Sequence, residues 1–399
     1  MSDTESSTLT SFRSPRSTFL PFSPPDITEG EIEAVVDTLR SDWITTGPKT
    51  KQFEEAFRDY VGAESALAVN SCTGALHTAL AALGIGPGDE VITTPMTFVA
   101  SVNVIEHVGA IPVLADVEPE TLTVDPVHIA EAITPRTKAV LPVHFAGHPA
   151  EMRPIKTLAE QHGLYVIEDA AHALPASYEG QTIGTLGDFT AFSFYATKNM
   201  TTGEGGMLTG SSDLIQQARL WSLHGMDRDA WKRYSAEGSW FYEVVVPGFK
   251  YNMTDIQAAI GLVQLQRLEE MQKRRCEVIR QYNEVFDQMA ELEIPTARPN
   301  VQSAWQLYVL RLNLDLLTID RNRFIDEMRQ RNIATSVHFI PIHLHPYYRD
   351  KYGWKAEDFP IAYQEYQRMV SLPLHPRLTG EDVADVIGTV EAVVKQYRR

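Results

Sequence analysis

Cysteine is nearly absent from this sequence. Its 399 residues include two cysteines, Cys72 and Cys276, too few for a disulfide framework or an all-cysteine iron–sulfur site. No apolar run is long enough to span a membrane as a helix. The first twenty residues are rich in Ser and Thr and have no basic segment leading into an apolar one, unlike a signal peptide. These absences predict a protein of the reducing cytoplasm with a flexible tail over residues 1–20.

Basic residues are fewer than acidic residues. There are 35 Lys and Arg against 52 Asp and Glu, and the formal net charge of −17 argues against a nucleic-acid partner. Neither common nucleotide fingerprint is present: no G-x-G-x-x-G follows a predicted strand, and G-x-x-x-x-G-K-[ST] does not occur. With 44% hydrophobic residues, the chain can form two domains with substantial cores.

Short apolar segments alternate with helical segments from residue 65 onwards. This rhythm predicts an α/β fold with a mostly parallel sheet covered on both faces, which binds ligands at the carboxyl ends of its strands. The predicted strands are Ala66–Val69, Val91–Thr94, Ile111–Val117, Lys138–His144, Leu164–Glu168, Phe189–Phe194 and Gly206–Thr209.

One lysine stands just past the end of such a strand, in the stretch DFTAFSFYATKNMTTGEGG. Lys198 follows aromatic and small residues, where desolvation would lower its pKa and free the amine to attack a carbonyl. Ser193 brings a hydroxyl close to it. The pattern indicates Schiff-base chemistry, while a solvated lysine in a surface turn is the alternative.

Three other strand ends carry candidate residues. After the first strand, the amides of Thr73 and Gly74 begin a helix and form a phosphate site, unless this turn is simply a helix cap made by Ser71 or Thr73. Phe98 follows the second strand and could stack on a flat ring or pack in the core. Asp169 ends a buried strand, where a protonated ring nitrogen would pair with its carboxylate.

Taken in order, a phosphate turn, a stacking aromatic, a ring-nitrogen carboxylate and a strand-end lysine describe a pyridoxal-phosphate site. His172 lies three residues after Asp169. The alternative to a role in this site is that it is simply a buried histidine. Further along, His338, His343 and His345 lack accompanying carboxylates or cysteines, so no metal site is predicted.

Several longer strings are distinctive, namely NSCTGALHTAL, TPMTFVAS, VIEDAAHA, SFYATKNMTTGEGGML, PGFKYNMTDIQAAIGLVQL, SVHFIPIHLHPYYR and SLPLHP. Through them the chain, from about Pro21 onwards, resembles the DegT/StrS family of sugar aminotransferases. The resemblance implies the fold-type-I aminotransferase architecture and a homodimer that holds pyridoxal 5'-phosphate at the subunit interface. It also implies an amino-acid donor such as L-glutamate and a keto sugar linked to a nucleotide, as in polysaccharide or antibiotic sugar biosynthesis.

The same resemblance implies roles for individual residues. Lys198 would bind the cofactor covalently, and Asp169 would meet its pyridine nitrogen. Phe98 would lie over one ring face, and His172 near the ring hydroxyl. Thr73, Gly74 and Ser193 would surround the phosphate. Asn252 would contact the phosphate of the neighbouring subunit's cofactor, and His338 would lie near the substrate.

Two positions depart from the family pattern. Cys72 stands where members commonly have glycine, and Asn252 where many have arginine. The asparagine and the AHA string resemble the branch that aminates C4 of UDP-linked keto sugars. A C3-keto sugar, a keto-cyclitol and a non-catalytic regulatory homologue remain alternatives. A related dehydratase is disfavoured, because such members replace the lysine with histidine.

The rest of the chain is predicted to complete a large domain over residues 21–262 and a smaller α+β domain over residues 263–399. A capping box at Thr28 begins the first helix. A long helix from Thr254 or Asp255 to about Ala290 carries the chain into the second domain. That domain has extended segments at 305–312 and 334–338, with a helix between them.

Overall fold

The structure is a computed structural model and describes residues 16–227 and 241–399. Its α-helices are α1 (Glu29–Arg40), α2 (Pro48–Val61), α3 (Cys72–Ala82), α4 (Ala100–His107), α5 (Pro126–Ala132), α6 (Met152–His162), α7 (Ser212–Ser222), α8 (Asp255–Phe286), α9 (Arg321–Gln330), α10 (Pro346–Tyr352), α11 (Pro360–Arg368) and α12 (Gly380–Tyr397). Its strands are β1 (Ser65–Val69), β2 (Glu90–Thr93), β3 (Ile111–Leu114), β4 (Thr137–Val140), β5 (Tyr165–Asp169), β6 (Ser177–Tyr178), β7 (Gln181–Thr182), β8 (Phe189–Ser193), β9 (Gly206–Gly210), β10 (Leu292–Glu293), β11 (Val301–Gln302), β12 (Tyr308–Leu312) and β13 (Met369–Leu372).

The central sheet has seven strands in the order β1-β9-β8-β5-β4-β2-β3. The pairs from β8 through β5, β4 and β2 to β3 are parallel, whereas β9 runs antiparallel to both β1 and β8. This confirms the predicted mostly parallel sheet. Because β5 and β8 are parallel neighbours, the chain leaves both strands at the same edge of the sheet.

Helices cover both faces of this sheet. In β1, Ala66 and Ala68 pack on the side of α2, whereas Leu67 and Val69 pack on the side of α3. Alternate side chains of a strand point to opposite faces, so a strand that is buried on both faces has to be apolar throughout. This explains why the strands appear in the sequence as continuous apolar runs.

Helix α8 connects the two halves of the chain. It contains 32 residues, so it is about 48 Å long at 1.5 Å per residue. Its first part, as far as Met271, packs in the core beneath the sheet, and its last part, from Val278, packs in a second core. The helix therefore runs without a break through the predicted domain boundary at residues 262 and 263, and the change of core comes later in the helix. The domain limits remain a prediction.

The second core lies under a small antiparallel sheet in the order β10-β12-β13. The predicted extended segment at 305–312 forms a strand only from Tyr308, because Trp305 has a φ of 48°, in the left-handed region. The segment at 334–338 is not a strand. Within the described residues it makes one bridge, between Ser336 and Ser371.

The predicted tail over residues 1–20 lies outside the described residues as far as residue 15. Its last residue, Leu20, is buried in the second core, and its amide donates to the carbonyl of Asn332 at 2.8 Å. The predicted flexible tail is therefore too long at its end, because the apolar side chain of Leu20 packs in the second core. Among the helices in residues 16–227 and 241–399, none has the length and apolar composition of a membrane span.

Candidate active site

The functional candidates meet at one edge of the central sheet. Asp169 is the last residue of β5 and is paired in register with Ala191 of the adjacent β8, the strand that leads to Lys198. The beginning of α3 lies at the same edge, because β1 ends at Val69 and α3 starts at Cys72. Parallel strands bring their carboxyl ends together, so residues about 100 positions apart come to share one site.

An open cavity of about 530 Å³ lies over this edge, within the size range of small-molecule sites. Its lining includes the predicted residues Thr73, Phe98, Asp169, His172, Ser193, Lys198 and His338. It also includes residues that the sequence did not single out for this site, namely Phe22, Thr97, Tyr195, Thr197, Glu204, Gln306 and Phe339.

Lys198 lies in the wall of this cavity. Burial lowers the pKa of its amine from 10.5 to about 8, although the nearby charge of Asp169 acts in the opposite direction. At neutral pH a much larger fraction of this amine is unprotonated than for a solvated lysine. The side chain is therefore suited to nucleophilic attack on a carbonyl carbon and to proton transfer.

Asp169 is buried and held by uncharged donors. Its Oδ2 accepts from the Ser101 hydroxyl at 2.7 Å, and its Oδ1 accepts from the Ala171 amide at 3.1 Å. The Sγ of Cys72 lies 3.9 Å from Oδ1. Burial, reinforced by this carboxylate, raises the pKa of the Cys72 thiol and keeps it protonated. A buried carboxylate whose donors in the described part of the chain are all neutral is well placed to pair with a cation on a ligand in the cavity.

The first turn of α3 faces the cavity through Thr73. Ser71 is the N-cap, and its hydroxyl accepts from the Gly74 amide at 3.0 Å. The cap considered from the sequence is therefore present, and it engages the Gly74 amide predicted for the phosphate. A Cβ at Gly206 would lie 2.5 Å from the main-chain carbon of Ser71, so glycine is needed where β9 passes this turn. The roles of Thr73 and Gly74 at a phosphate remain predictions.

Phe98 and Ser193 both line the cavity. Phe98 is 59% exposed, and its ring centroid lies 5.8 Å from that of Phe339. It is thus not part of the core, which was the alternative, and its ring face is accessible to a ligand. The Ser193 hydroxyl lines the cavity and lies 3.4 Å from the Tyr195 amide. A contact of either residue with the cofactor remains a prediction.

Two neutral histidines form part of the wall. Burial and the charge of Lys198 hold the pKa of His172 well below its usual value, and lower that of His338 to about 4. His172 stacks on Phe339 with ring centroids 5.8 Å apart, and its Nδ1 is buried with no hydrogen-bond partner among the described residues. The Nδ1 of His338 lies 2.9 Å from the Ser371 hydroxyl. Near neutral pH both rings present uncharged polar groups.

Asn252 is not among the residues that line the cavity of its own chain. Its side-chain amide donates to the Thr46 hydroxyl at 2.6 Å, and its main chain forms a β-bridge with Val69 at the end of β1. The loop around Thr46 therefore packs against the segment that carries Asn252. Contact of Asn252 with a neighbouring subunit's cofactor remains a prediction.

Two residues that support the site, Gln306 in its lining and Ser101 behind it, had no usable signal in the sequence. Gln306 comes from the second half of the chain, and its amide donates to the carbonyl of Thr197, next to Lys198, at 2.8 Å. The Ser101 hydroxyl crosses from α4 to Asp169. Both contacts join segments at least 68 positions apart, and local periodicity carries no information about such pairs.

The cavity fits pyridoxal phosphate on its own chemistry. It combines an amine of lowered pKa, a buried carboxylate without a charged donor, an accessible aromatic face and the N-terminal turn of a helix. These correspond to the aldehyde carbon, the ring nitrogen, the ring face and the phosphate of that cofactor. The residues present are thus those that the cofactor requires.

The chain is similar to known proteins over nearly its whole length. The model of the DegT/DnrJ/EryC1/StrS aminotransferase family matches residues 25–391. An uncharacterised protein of Methanocaldococcus jannaschii is 54% identical over 384 residues, covering 96% of this chain and 100% of that protein. The spore coat polysaccharide biosynthesis protein SpsC of Bacillus subtilis is 52% identical over 382 residues, covering 95% of this chain and 98% of SpsC.

The fold has solved counterparts with the cofactor. The Streptococcus pneumoniae protein Spr1654, named as a sugar aminotransferase, has a structure in its PMP form that matches with a TM-score of 0.89 and 38% identity. The match covers 94% of this chain and 99% of that one, and the same protein has been solved in a PLP form. The chain therefore belongs to the DegT/DnrJ/EryC1/StrS aminotransferase family and is a pyridoxal-phosphate-dependent sugar aminotransferase.

Proposed function

We propose that this protein transfers the amino group of L-glutamate to C4 of a UDP- or dTDP-linked 4-keto sugar. The observation that carries the proposal is the amine of Lys198, with its pKa lowered to about 8, in one open cavity with the Asp169 carboxylate. The neutral histidines and the hydroxyls of the wall are suited to the hydroxyls of a sugar. The two cysteines are free, which supports a cytoplasmic site for the reaction.

In this proposal Lys198 carries the proton transfer. With pyridoxal phosphate and a donor bound, the free amine of Lys198 would accept the proton from the α-carbon of the donor. It would return a proton on the side of the C4' carbon of the cofactor. When bound, pyridoxal phosphate acts as an electron sink for the negative charge that develops on the carbon. The reverse sequence with a ketone places the amino group on the sugar.

The other residues hold the reactants. Asp169 keeps the ring nitrogen protonated, and Phe98 covers one face of the ring. Thr73, Gly74 and Ser193 bind the phosphate. His172 lies by the ring hydroxyl, and His338 contacts the sugar. In a homodimer, Asn252 of each subunit reaches the cofactor phosphate of the other.

The order of amine transfer provides the test. The enzyme is first converted to its amine form with L-glutamate, and the donor is removed. Each ketone of a panel of UDP- and dTDP-linked 4-keto and 3-keto sugars and free keto-cyclitols is then added. We expect the visible absorbance of the aldehyde form to return with a nucleotide-linked 4-keto sugar, and not in a Lys198→Ala control.

Two results would contradict the proposal. Return of the absorbance only with a 3-keto sugar or a free keto-cyclitol would assign the acceptor to one of those alternatives. Failure of every amino donor to change the absorbance of the loaded protein would favour a non-catalytic homologue. The presence of both Lys198 and Asp169 in the cavity argues against that last outcome.

A further inference from the structure

The carboxylate of Asp169 is held from α4 by a chain of two hydroxyls. The Ser101 Oγ lies 2.7 Å from Asp169 Oδ2, and the Thr97 Oγ1 lies 2.7 Å from the Ser101 Oγ. Ser101 is completely buried and Thr97 is 2% exposed, so water does not compete for these bonds. A buried hydroxyl bonded to a carboxylate makes one of the stronger hydrogen bonds found in proteins.

The direction of this chain follows from the number of protons available. An ionised carboxylate only accepts, and the serine hydroxyl has a single proton to donate. The carbonyl of Phe98 lies farther from the Ser101 Oγ, at 3.4 Å, than Asp169 Oδ2 does. Ser101 therefore donates to Asp169, and Thr97 must donate to Ser101. The two hydroxyl dipoles point the same way and reinforce each other at the carboxylate.

Ser101 lies near the start of a helix, yet its hydroxyl bonds to a distant residue. It is the second residue of α4, where serine commonly bonds to free amides of its own helix. Here it bonds instead to the end of β5, 68 positions away. Its hydrogen bond thus ties α4 to the strand end that carries the carboxylate.

The second oxygen of the carboxylate is held independently. Oδ1 accepts from the Ala171 amide at 3.1 Å, and the Cys72 Sγ lies 3.9 Å away. With a donor on each oxygen, the plane of the carboxyl group is fixed from two sides. An ionised carboxyl group offers about four acceptor sites, so acceptor capacity remains for a group in the cavity.

We propose that Ser101, oriented by Thr97, is a positioning residue that fixes the carboxylate of Asp169 for its bond with the ring nitrogen of pyridoxal phosphate. The proposal rests on the role proposed for Asp169 and does not depend on the identity of the sugar. Loss of the Ser101 hydroxyl leaves Oδ2 without its donor and lets the carboxyl group turn. The ring nitrogen then holds its proton less firmly.

The experiment measures the bound cofactor directly, without any sugar. Apo-protein carrying Ser101→Ala is titrated with pyridoxal phosphate, and the visible absorbance of the loaded protein is then followed against pH. We expect the cofactor dissociation constant to rise about tenfold, the factor equivalent to about 1.4 kcal/mol. We expect the midpoint of the pH titration to rise by about half a unit or more, because the ring then draws less charge from the Lys198 nitrogen.

Matched variants separate this role from a loss of folding. Thr97→Val keeps the volume of the side chain and removes only the outer hydroxyl, so we expect a smaller change in the same direction. Ser222→Ala and Thr93→Val remove buried hydroxyls that donate to the carbonyls of Arg219 and Leu141, and both should behave as the unmodified protein does.

Asp169→Asn distinguishes the two ways in which the proposal can fail. No change in the absorbance midpoint of Asp169→Asn would overturn the role of Asp169 and, with it, that of Ser101. A changed midpoint in Asp169→Asn, with Ser101→Ala and Thr97→Val like the unmodified protein, would overturn the role of Ser101 alone.

Discussion

Lys198 owes its reactivity to an environment that disfavours its charge. Its pKa falls from 10.5 in the unfolded chain to about 8 in the folded protein, because burial costs the ammonium its hydration. Between these two pH values the unfolded chain binds more protons, so the apo-protein gains stability as the pH rises. Below about pH 8 the lysine is protonated in both states, so folding carries the full free-energy cost of desolvating its charge.

We therefore predict that Lys198→Met stabilises the apo-protein at pH 7. Removal of this poorly hydrated charge should raise the free energy of unfolding by on the order of 2 kcal/mol. It should also flatten the rise in stability between about pH 8 and 10.5. Urea unfolding at a series of pH values measures both effects. Lys51→Met, at a solvent-exposed lysine, is the control, and equal effects of the two substitutions would contradict the prediction.

Helix α8 holds another helix through a single carboxylate. Asp255, its first residue, is buried and accepts hydrogen bonds from the amides of Gly47, Lys49 and Thr50, at 2.8, 3.0 and 2.9 Å, and from the Thr50 hydroxyl at 2.6 Å. It thus caps the N-terminus of α2 from a distant part of the chain. The same contacts fix the loop before α2 against the segment of Asn252.

We predict that Asp255→Ala lowers the free energy of unfolding by about 3 kcal/mol, because several buried donors lose their acceptor together. The control is Asp125→Ala, which removes a local cap that accepts from the Val127 amide at 2.8 Å. A cap of that kind contributes about 1 kcal/mol. Urea unfolding of both variants tests the difference, and equal losses would show that Asp255 acts as an ordinary cap.

The proposed homodimer makes each active site depend on both subunits. Lys198→Ala and Asn252→Ala proteins should each be impaired when assayed alone. After subunit exchange in an equal mixture, about half of the dimers contain one subunit of each kind, and each of these has one intact site. We predict that the mixture recovers about a quarter of the unmodified activity.

The measurement is the transamination rate of the mixture before and after exchange, with exchange followed by two different affinity tags. A mixture of Lys198→Ala subunits with Lys198→Ala subunits carrying the second tag is the control, since it contains no intact site. Proven exchange without recovery would place Asn252 in the active site of its own subunit.

Local sequence patterns determined much of this protein. The apolar runs and the turns between them are set by neighbouring residues, so all seven strands of the central sheet were predicted to within a few residues. The capping box of the first helix was predicted for the same reason, and the Thr28 amide donates to the Glu31 carboxylate at 2.8 Å. Lys198 and Asp169 were identified because a charged residue at the end of an apolar strand is costly to bury without a partner.

Contacts between distant segments were decided only by the tertiary structure. The hydroxyl of Ser101 on Asp169, the amide of Gln306 beside Lys198, the cap that Asp255 provides for α2 and the burial of Leu20 all join segments that lie far apart in the sequence. None of these residues differs locally from others that have ordinary roles. Which residues they contact is determined by the packing of the sheet, the helices and the second core. That packing depends on the whole chain.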